Sequence, residues 1–523
     1  MRSECVILHT RTQTHTFFDS PSFVPRCFFI NCTNFLSNPV EKKSERNIYL
    51  LLCIIFCIPL FFINVKSSHD WGDDFAQYIL QAKNIVEHKT QTETGYVYDE
   101  SLSVVAPPAY PAGFPLMLAG IYAWKGNSIH AFTYFITLIL FFLCITLFIF
   151  LQKFFSGLAS LLLVLIFAYN PWTLGCKLEV LSDLPFAFFL LLTVMLYAFG
   201  KNSRINYILT GIVCGITLSI RGVGIVFILA VIIHQAYQAF LQIRSGKTSR
   251  QHVEKLLIVV GSAAFVYFLL NYIIVKVPTG RFLEFYSSPY KKNTLGDVII
   301  RNLNYYTAVF EEYFNPWVKK WSFVPYVSKA FGLVLVLIGM FYSLLHKRTF
   351  IDLLTWIYIL LFIFYPYSFG GFRFILPVFP FLLYYMVIGL SRINISVPAG
   401  RKILILIGGI VVLLQYKPYI IKLIEERNNV LSGPQEKSSV EAFQYITGNV
   451  PESSIIIFTK PKALTLYTNR KTFSTVYGQS ADDVKYMIQR LHAEYLLLHN
   501  DRDMHDESME NYLSKNQDAV QLA

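Results

Sequence analysis

The chain has 523 residues, 54% of them hydrophobic and only 15% charged, with a mean hydropathy of +0.47. Soluble domains carry about 25% charged residues, so this balance excludes a soluble globular protein over most of the length. Repeated apolar runs of roughly 18 residues or more mark a polytopic membrane protein, and the net charge of +12 does not point to nucleic acid, because Lys and Arg gather in short loops on alternate sides of those runs.

Residues 1–46 are polar and irregular and lack the apolar core of a signal peptide. They read as a disordered cytoplasmic tail or an over-extended start, with translation beginning near Val40 as one expectation. The first span is expected at about 47–65, entered from KKSER on the inner side. An outer segment, 66–112, follows, and it is acidic: Asp70, Asp73, Asp74, Glu87, Glu93, Asp99 and Glu100 stand against Lys66, Lys83 and Lys89. Within it, Phe75, Tyr78, Ile79, Ala82 and Ile85–Val86 make one apolar stripe, which predicts an amphipathic helix over 74–87 lying on the membrane surface. Prolines break any helix up to Pro115, and the run 114–124 is short enough to be re-entrant or interfacial.

Further spans are expected near 129–151, 156–170, 184–199, 205–219, 222–241, 256–276, 326–345, 351–367, 374–391 and 402–418, about eleven in all. Basic residues then fall in the inner loops: Lys153, Lys201, Arg204, Arg244, Lys247, Arg250, Lys255, Lys347, Arg348, Arg392, Arg401 and Lys402. A second large outer loop covers 277–325. The eight cysteines form no framework: Cys53, Cys57, Cys144 and Cys214 lie in spans, Cys5, Cys27 and Cys32 in the tail and Cys176 alone in an outer loop. Residues 425–523 are far more polar. They alternate strand-like and helix-like stretches, from SSIIIFT (453–459) to EYLLLH (494–499), and predict a small soluble α/β domain on the outer face. The expected fold class is an all-α polytopic membrane protein, with a transmembrane domain over 47–424 and this α/β extracytoplasmic domain after it.

Ionisable residues collect where spans reach the outer face. Asp73 and Asp74 follow the first span. A carboxylate beside an apolar surface can serve as a general base, although Asp at a helix start also simply satisfies free N–H groups and the helix dipole. Asp183, four residues after Glu179, opens a span and can cap it or meet a polar substrate. Arg221 and Arg373 lie at span ends, where an Arg either pairs with an acid or binds a phosphate through its planar fork. The loop 277–325 adds Arg281, Lys291, Lys292 and Arg301, together with Tyr and Trp residues that suit sugar stacking or an interfacial belt. Phosphate-loop, HExxH and GxSxG motifs are absent, and the adjacent acids lack the further ligands of a metal site. The spans carry almost no acid or Lys, unlike those of ion-coupled transporters.

In order and spacing these residues resemble the GT-C class of integral-membrane glycosyltransferases, in the branch of protein O-mannosyltransferases and the aminoarabinose transferases of lipid A. The matching stretches are Asp73-Asp74-x-x-x-Tyr78-x-x-x-Ala82, Pro107-Pro108-Ala109-Tyr110-Pro111, Ser182-Asp183-Leu184-Pro185, Arg221-Gly222-Val223-Gly224 and Arg373-Phe374-Ile375-Leu376-Pro377. The resemblance covers about 48–420. It departs at Asp74, where the family commonly has Glu, at Gly222, where it has Pro, and in a C-terminal domain that looks short of a last strand.

The resemblance implies a polyprenyl-phosphate-linked sugar donor and an acceptor hydroxyl on a lipid, glycan or protein outside a plasma (inner) membrane. It implies a general base at Asp73, with Asp74 as alternate or orienting partner. Arg221, Arg373, Lys291 and Lys292 would hold the donor phosphate, and Tyr78, Tyr110 and Asp183 would contact substrate. No metal or cofactor is required on this reading, because Arg and Lys can neutralise the phosphate. A transporter or flippase of lipid-linked sugars and an O-antigen-type polymerase or ligase are the rival readings.

Overall fold

The computed structural model describes residues 43–99, 102, 107–275, 294–314, 324–365, 371–392, 398–476, 478–499 and 507–516. The chain is mostly helical. Helix α1 is Lys43–Cys57, α2 Asp73–Val86, α3 Gly113–Lys125, α4 Ile129–Leu151, α5 Gly157–Ala168, α6 Pro171–Leu178, α7 Asp183–Phe199, α8 Arg204–Ile220, α9 Ile225–Arg244 and α10 Arg250–Phe268. Then come α11 Leu295–Phe314, α12 Val324–His346, α13 Phe350–Ile363, α14 Phe379–Leu390, α15 Pro398–Glu425 and α16 Lys437–Asn449.

Among the described residues, five helical stretches are long and apolar enough to cross a membrane: Ser44–Phe61, Ile129–Leu151, Gly222–Arg244, Arg250–Ile274 and Leu406–Asn428. The pair α5–α6, bent by 54°, would make a sixth. Five shorter apolar helices of 10–17 residues, among them α7, α8, α13 and α14, stand beside them. Length alone therefore does not yield the eleven spans expected from hydropathy. Several apolar runs are shortened where the chain turns aside to present a polar residue, as at Arg221 and Arg373.

Helix α4 is at the centre: Phe132, Ile136, Leu140, Leu143, Leu147 and Leu151 recur at helical spacing and are fully buried. Elsewhere small residues bring backbones together, the usual solution where lipid removes the hydrophobic drive for helix association. On α8, a Cβ at Gly211 or Gly215 would lie 2.6 Å and 2.7 Å from the carbonyl oxygens of Val259 and Ala263 on α10. Helices α12 and α14 approach still more closely, since a Cβ at Gly389 would lie 1.9 Å from the Leu335 carbonyl oxygen.

Polar side chains tie down the helix ends. The buried Lys177 ammonium of α6 donates to the carbonyls of Leu60, Ile63 and Asn64 at 3.2, 2.6 and 3.4 Å, closing the C-terminal end of the first span. Lys66, also buried, donates to the Asn429 carbonyl at 2.9 Å and to that of Glu426, fixing the end of α15 to the segment between α1 and α2.

After α16 come β1 (Ile455–Ile457), α17 (Pro461–Thr468), β2 (Lys471–Phe473), α18 (Ala481–Leu491), β3 (Tyr495–Leu496) and α19 (Glu507–Lys515). The strands form a parallel sheet in the order β2-β1-β3, with Ile456 facing Thr472 on one side and Tyr495 on the other. Residues 95–97 add themselves to the sheet edge, because Val97 N–H donates to Thr472 O at 2.8 Å and Thr472 N–H to Gly95 O at 3.0 Å. Helix α2 is consequently covered on both faces. Residues Phe75–Ala82 are all buried, between α3 and α17, rather than showing one stripe to a bilayer surface.

Replacing Gly389 by Ala is expected to cost about 1–3 kcal/mol by overpacking, seen as a lower unfolding midpoint in detergent. Gly120→Ala, in open space on α3, should be neutral or slightly stabilising.

Candidate active site

Asp73 and Asp74 occupy the first two positions of α2, where the exposed N–H groups favour negative charge. Adjacent residues on a helix point about 100° apart, so the two carboxylates have different partners. Asp73 Oδ1 accepts from the backbone N–H of Lys462 at 2.9 Å and Ala463 at 3.2 Å, the open N-terminus of α17. The Lys462 ammonium lies 3.8 Å from its other oxygen. Asp74 turns the other way. Its Oδ1 accepts from the Tyr110 hydroxyl at 2.6 Å and its Oδ2 from Arg373 Nη2 at 3.4 Å.

Arg373 comes from a 3₁₀ turn, Gly371–Phe374, that leads toward α14. Gly371 has φ +53°, a conformation that side chains disfavour, and its N–H donates to the Tyr305 hydroxyl at 2.8 Å. The Arg373 guanidinium also donates from Nε to Asp183 Oδ2 at 3.2 Å. Asp183 starts α7, and its second oxygen accepts from Arg221, which sits where α8 gives way to extended backbone. The Arg221 guanidinium lies over the Phe374 ring at 5.4 Å. Four charges thus alternate in a chain: Asp74, Arg373, Asp183, Arg221.

Exposure decides which of these can meet a substrate. Asp183 is 1% exposed and Asp73 17%, whereas Asp74 is 38% and Arg373 30% exposed. The accessible pair is Asp74 with Arg373, and the inner pair holds it in place. Burial alone would raise the Asp74 carboxyl, but Lys462, Arg373 and the Tyr110 hydrogen bond outweigh it and hold the group below the usual carboxylate range. Burial dominates at Asp73 and pushes it up, against the pull of Lys462.

The other residues expected at the site fall as follows. Tyr110 touches Asp74 directly. Tyr78 is buried, with its hydroxyl 3.0 Å from Ser182 Oγ and its ring 4.9 Å from that of Tyr110, so it supports the site from behind. Lys291 and Lys292 lie outside the described residues. Two participants had no local signal. Lys462 arrives from a helix 389 residues after Asp73 in sequence. His69 packs flat on Phe75 at 3.9 Å, accepts the Val180 N–H at Nε2 (3.1 Å) and faces Asp70 at Nδ1 (2.9 Å), joining the segment before α2 to the α6–α7 corner. Among the described residues, no group of three or more His, Cys, Asp or Glu side chains is arranged to hold a metal ion.

Glu179, at that corner, is pushed up to about 7 by burial, with the Asp70 charge adding to it. The folded protein therefore keeps a proton that an unfolded chain releases near 4.5. This contribution to stability is complete below about 4.5 and fades as pH rises through about 7. Glu179→Gln should flatten the fall in unfolding temperature across that window, measured in detergent. Asp73→Ala should strip the cap from α17 and cost about 1–2 kcal/mol, read as a lower unfolding midpoint and faster proteolysis after residue 437, while Asp74→Asn should change either much less.

A sequence search of curated proteins finds no match. In fold, the chain is similar to the archaeal oligosaccharyltransferase AglB from Archaeoglobus fulgidus, solved with an inhibitory peptide and a dolichol-phosphate. The TM-score is 0.54 at 14% identity, covering 87% of this chain and 69% of that one. It is also similar to ArnT from Cupriavidus metallidurans bound to undecaprenyl phosphate, with a TM-score of 0.53 at 11% identity, covering 86% and 90%. Both are GT-C glycosyltransferases, and at such identities the likeness establishes the fold. Residues 108–521 match the profile of a family described as predicted membrane protein (DUF2079), and the chain belongs to that family.

Proposed function

We propose that this protein is a membrane glycosyltransferase that moves a sugar from a polyprenyl-phosphate-linked donor to a hydroxyl on an extracytoplasmic lipid, glycan or protein. The observation that carries the reading is the exposed Asp74 carboxylate against the exposed Arg373 guanidinium, 3.4 Å apart, with the buried Asp183–Arg221 pair behind them. A base and a phosphate-binding cation side by side at the outer ends of helices are what transfer from a lipid phosphate needs. The polyprenyl phosphates bound by the two fold relatives are of the same chemical class as this donor.

Asp74 replaces Asp73 as the preferred base, because Asp73 spends one oxygen on α17 and is the less accessible. In the reaction, Asp74 takes the proton of the acceptor hydroxyl. The acceptor oxygen bonds to the anomeric carbon, the bond from that carbon to the phosphate oxygen breaks, and its electron pair leaves with the polyprenyl phosphate. Attack opposite the leaving group inverts the anomeric centre. Arg373, held by Asp183 and assisted by Arg221, meets the charge that develops on the phosphate. Lys291 and Lys292 belong to the same reading as further phosphate ligands.

Phosphate binding would compete with Asp74 for Arg373, since one guanidinium edge serves both. Donor arrival thus frees the carboxylate for the acceptor and favours an order in which the donor binds first.

Membranes containing the protein should transfer label from at least one of a panel of radiolabelled polyprenyl-phosphate sugars. Asp74→Asn should lower transfer by about 10²–10⁴-fold, and Asp73→Asn much less. Equal activity in the Asp74→Asn protein would remove that residue as base. Donor movement across the bilayer without turnover would favour the flippase reading.

A further inference from the structure

Lys462, in the first turn of α17 of the C-terminal α/β segment, is a lysine with 1% of its surface exposed. Burying an ammonium is costly unless its charge is met, and here it is met only at long range. Its Nζ lies 3.5 Å from the Tyr110 hydroxyl and 3.8 Å from Asp73 Oδ2, and over the rings of Tyr110 and Tyr96 at 5.0 and 5.3 Å. The Tyr110 hydroxyl accepts from Lys462 on one side and donates to Asp74 at 2.6 Å on the other. A cation behind a hydroxyl makes it a stronger donor, so the two bonds reinforce each other. The backbone fixes the lysine at its root, because its own N–H and that of Ala463 are capped by Asp73.

We propose that Lys462 is a positioning residue of the site, acting through Tyr110 to hold Asp74 ionised and aimed, so that the acid pair is complete only when the C-terminal α/β segment is docked on α2. The inference rests on the reading of Asp74 as the reacting carboxylate. It goes beyond that reading by assigning part of the site to the C-terminal segment. Docking is secured independently of Lys462 by the Gly95–Val97 pairing with β2, by Lys83 Nζ on Asn469 Oδ1 at 3.0 Å and by Arg490 on Asp99 at 3.1 Å. Loss of the ammonium alone therefore leaves the segment in place.

The charged and titratable groups facing Asp74 are Asp73 and Tyr78 on its own helix, Tyr110 from the following segment, Arg373 from the turn before α14, Lys462 from α17 and, one step back, Asp183 and Arg221. Removing Lys462 subtracts one of two cations near the carboxylate and should raise the pH at which it takes a proton, by about one unit.

The test uses the full chain in detergent. Infrared difference spectra recorded over a pH series, with Asp74→Asn as the subtracting reference, follow the protonated carboxyl band of Asp74. Lys462→Met is expected to move its midpoint upward by about one pH unit, and Lys462→Arg to restore most of the wild-type value. Tyr110→Phe, which leaves the ammonium against Asp73, should move it in the same direction and keeps the question open to test if Lys462→Met fails to fold. In the transfer assay the acid limb of activity should shift by the same amount in Lys462→Met. An unmoved Asp74 midpoint in a folded Lys462→Met or Tyr110→Phe protein would overturn the proposal. The infrared titration does not depend on finding a donor, so wild type with no transfer activity would defeat the glycosyltransferase reading while leaving this outcome readable.

Discussion

Arg373 bridges two carboxylates that the chain brings from different places, Asp74 at the start of α2 and Asp183 at the start of the apolar helix α7. A half-buried guanidinium is stabilised by its partners, and a buried acid such as Asp183 is tolerable only with cations. Each group is therefore a condition for the others. Arg221 completes the set by taking the second oxygen of Asp183. The helix ends that deliver these side chains must stop where they do: α8 ends to free Arg221, α14 begins late to leave room for the turn holding Arg373, and α7 begins at Asp183 itself. The shortness of several apolar helices is the geometric consequence of this requirement.

Much of this was legible in the residues. The Asp73–Asp74 pair, Asp183, Arg221 and Arg373 stand out because polar residues at the ends of apolar runs are expensive and few. The stretch Pro107–Pro111, with Tyr110 inside it, is conspicuous for its prolines. The division of labour within the acid pair was not legible. Which carboxylate caps and which faces outward depends on the docking of α17, and no local pattern encodes that contact. Lys462 was hidden for the same reason, since a lysine after a proline at a helix start looks like ordinary surface. The reading of α2 as a surface helix failed on the same contact: its stripe is genuine, but α17 covers the face opposite, and Gln77 and Gln81 find partners in the Pro108 and Tyr110 carbonyls.

The C-terminal segment also changes the character of the stretch that follows α2. Residues 95–97 behave as an edge strand of a sheet whose other members lie more than 350 residues later. Edge pairing satisfies backbone groups that a loop would leave to water, and it holds Tyr96 beside Lys462. Asp74 is thereby mounted on a helix held between α3 on one side and α17 on the other.

The closure of the first span by Lys177 has a consequence for biogenesis. The carbonyls of Leu60, Ile63 and Asn64 receive their donor from a residue synthesised 117, 114 and 113 positions later. While the ribosome is still translating α4 and α5, that end of α1 can be satisfied only by water or lipid headgroups at the membrane surface. The end of the first apolar stretch therefore gets its hydrogen-bond donor only once α6 has been made. Lys66, waiting for the end of α15, repeats the arrangement over a longer stretch of translation. The early part of this chain is completed by its later parts, so a chain truncated before α6 would carry a first apolar stretch of the right length whose last carbonyls lack their donor.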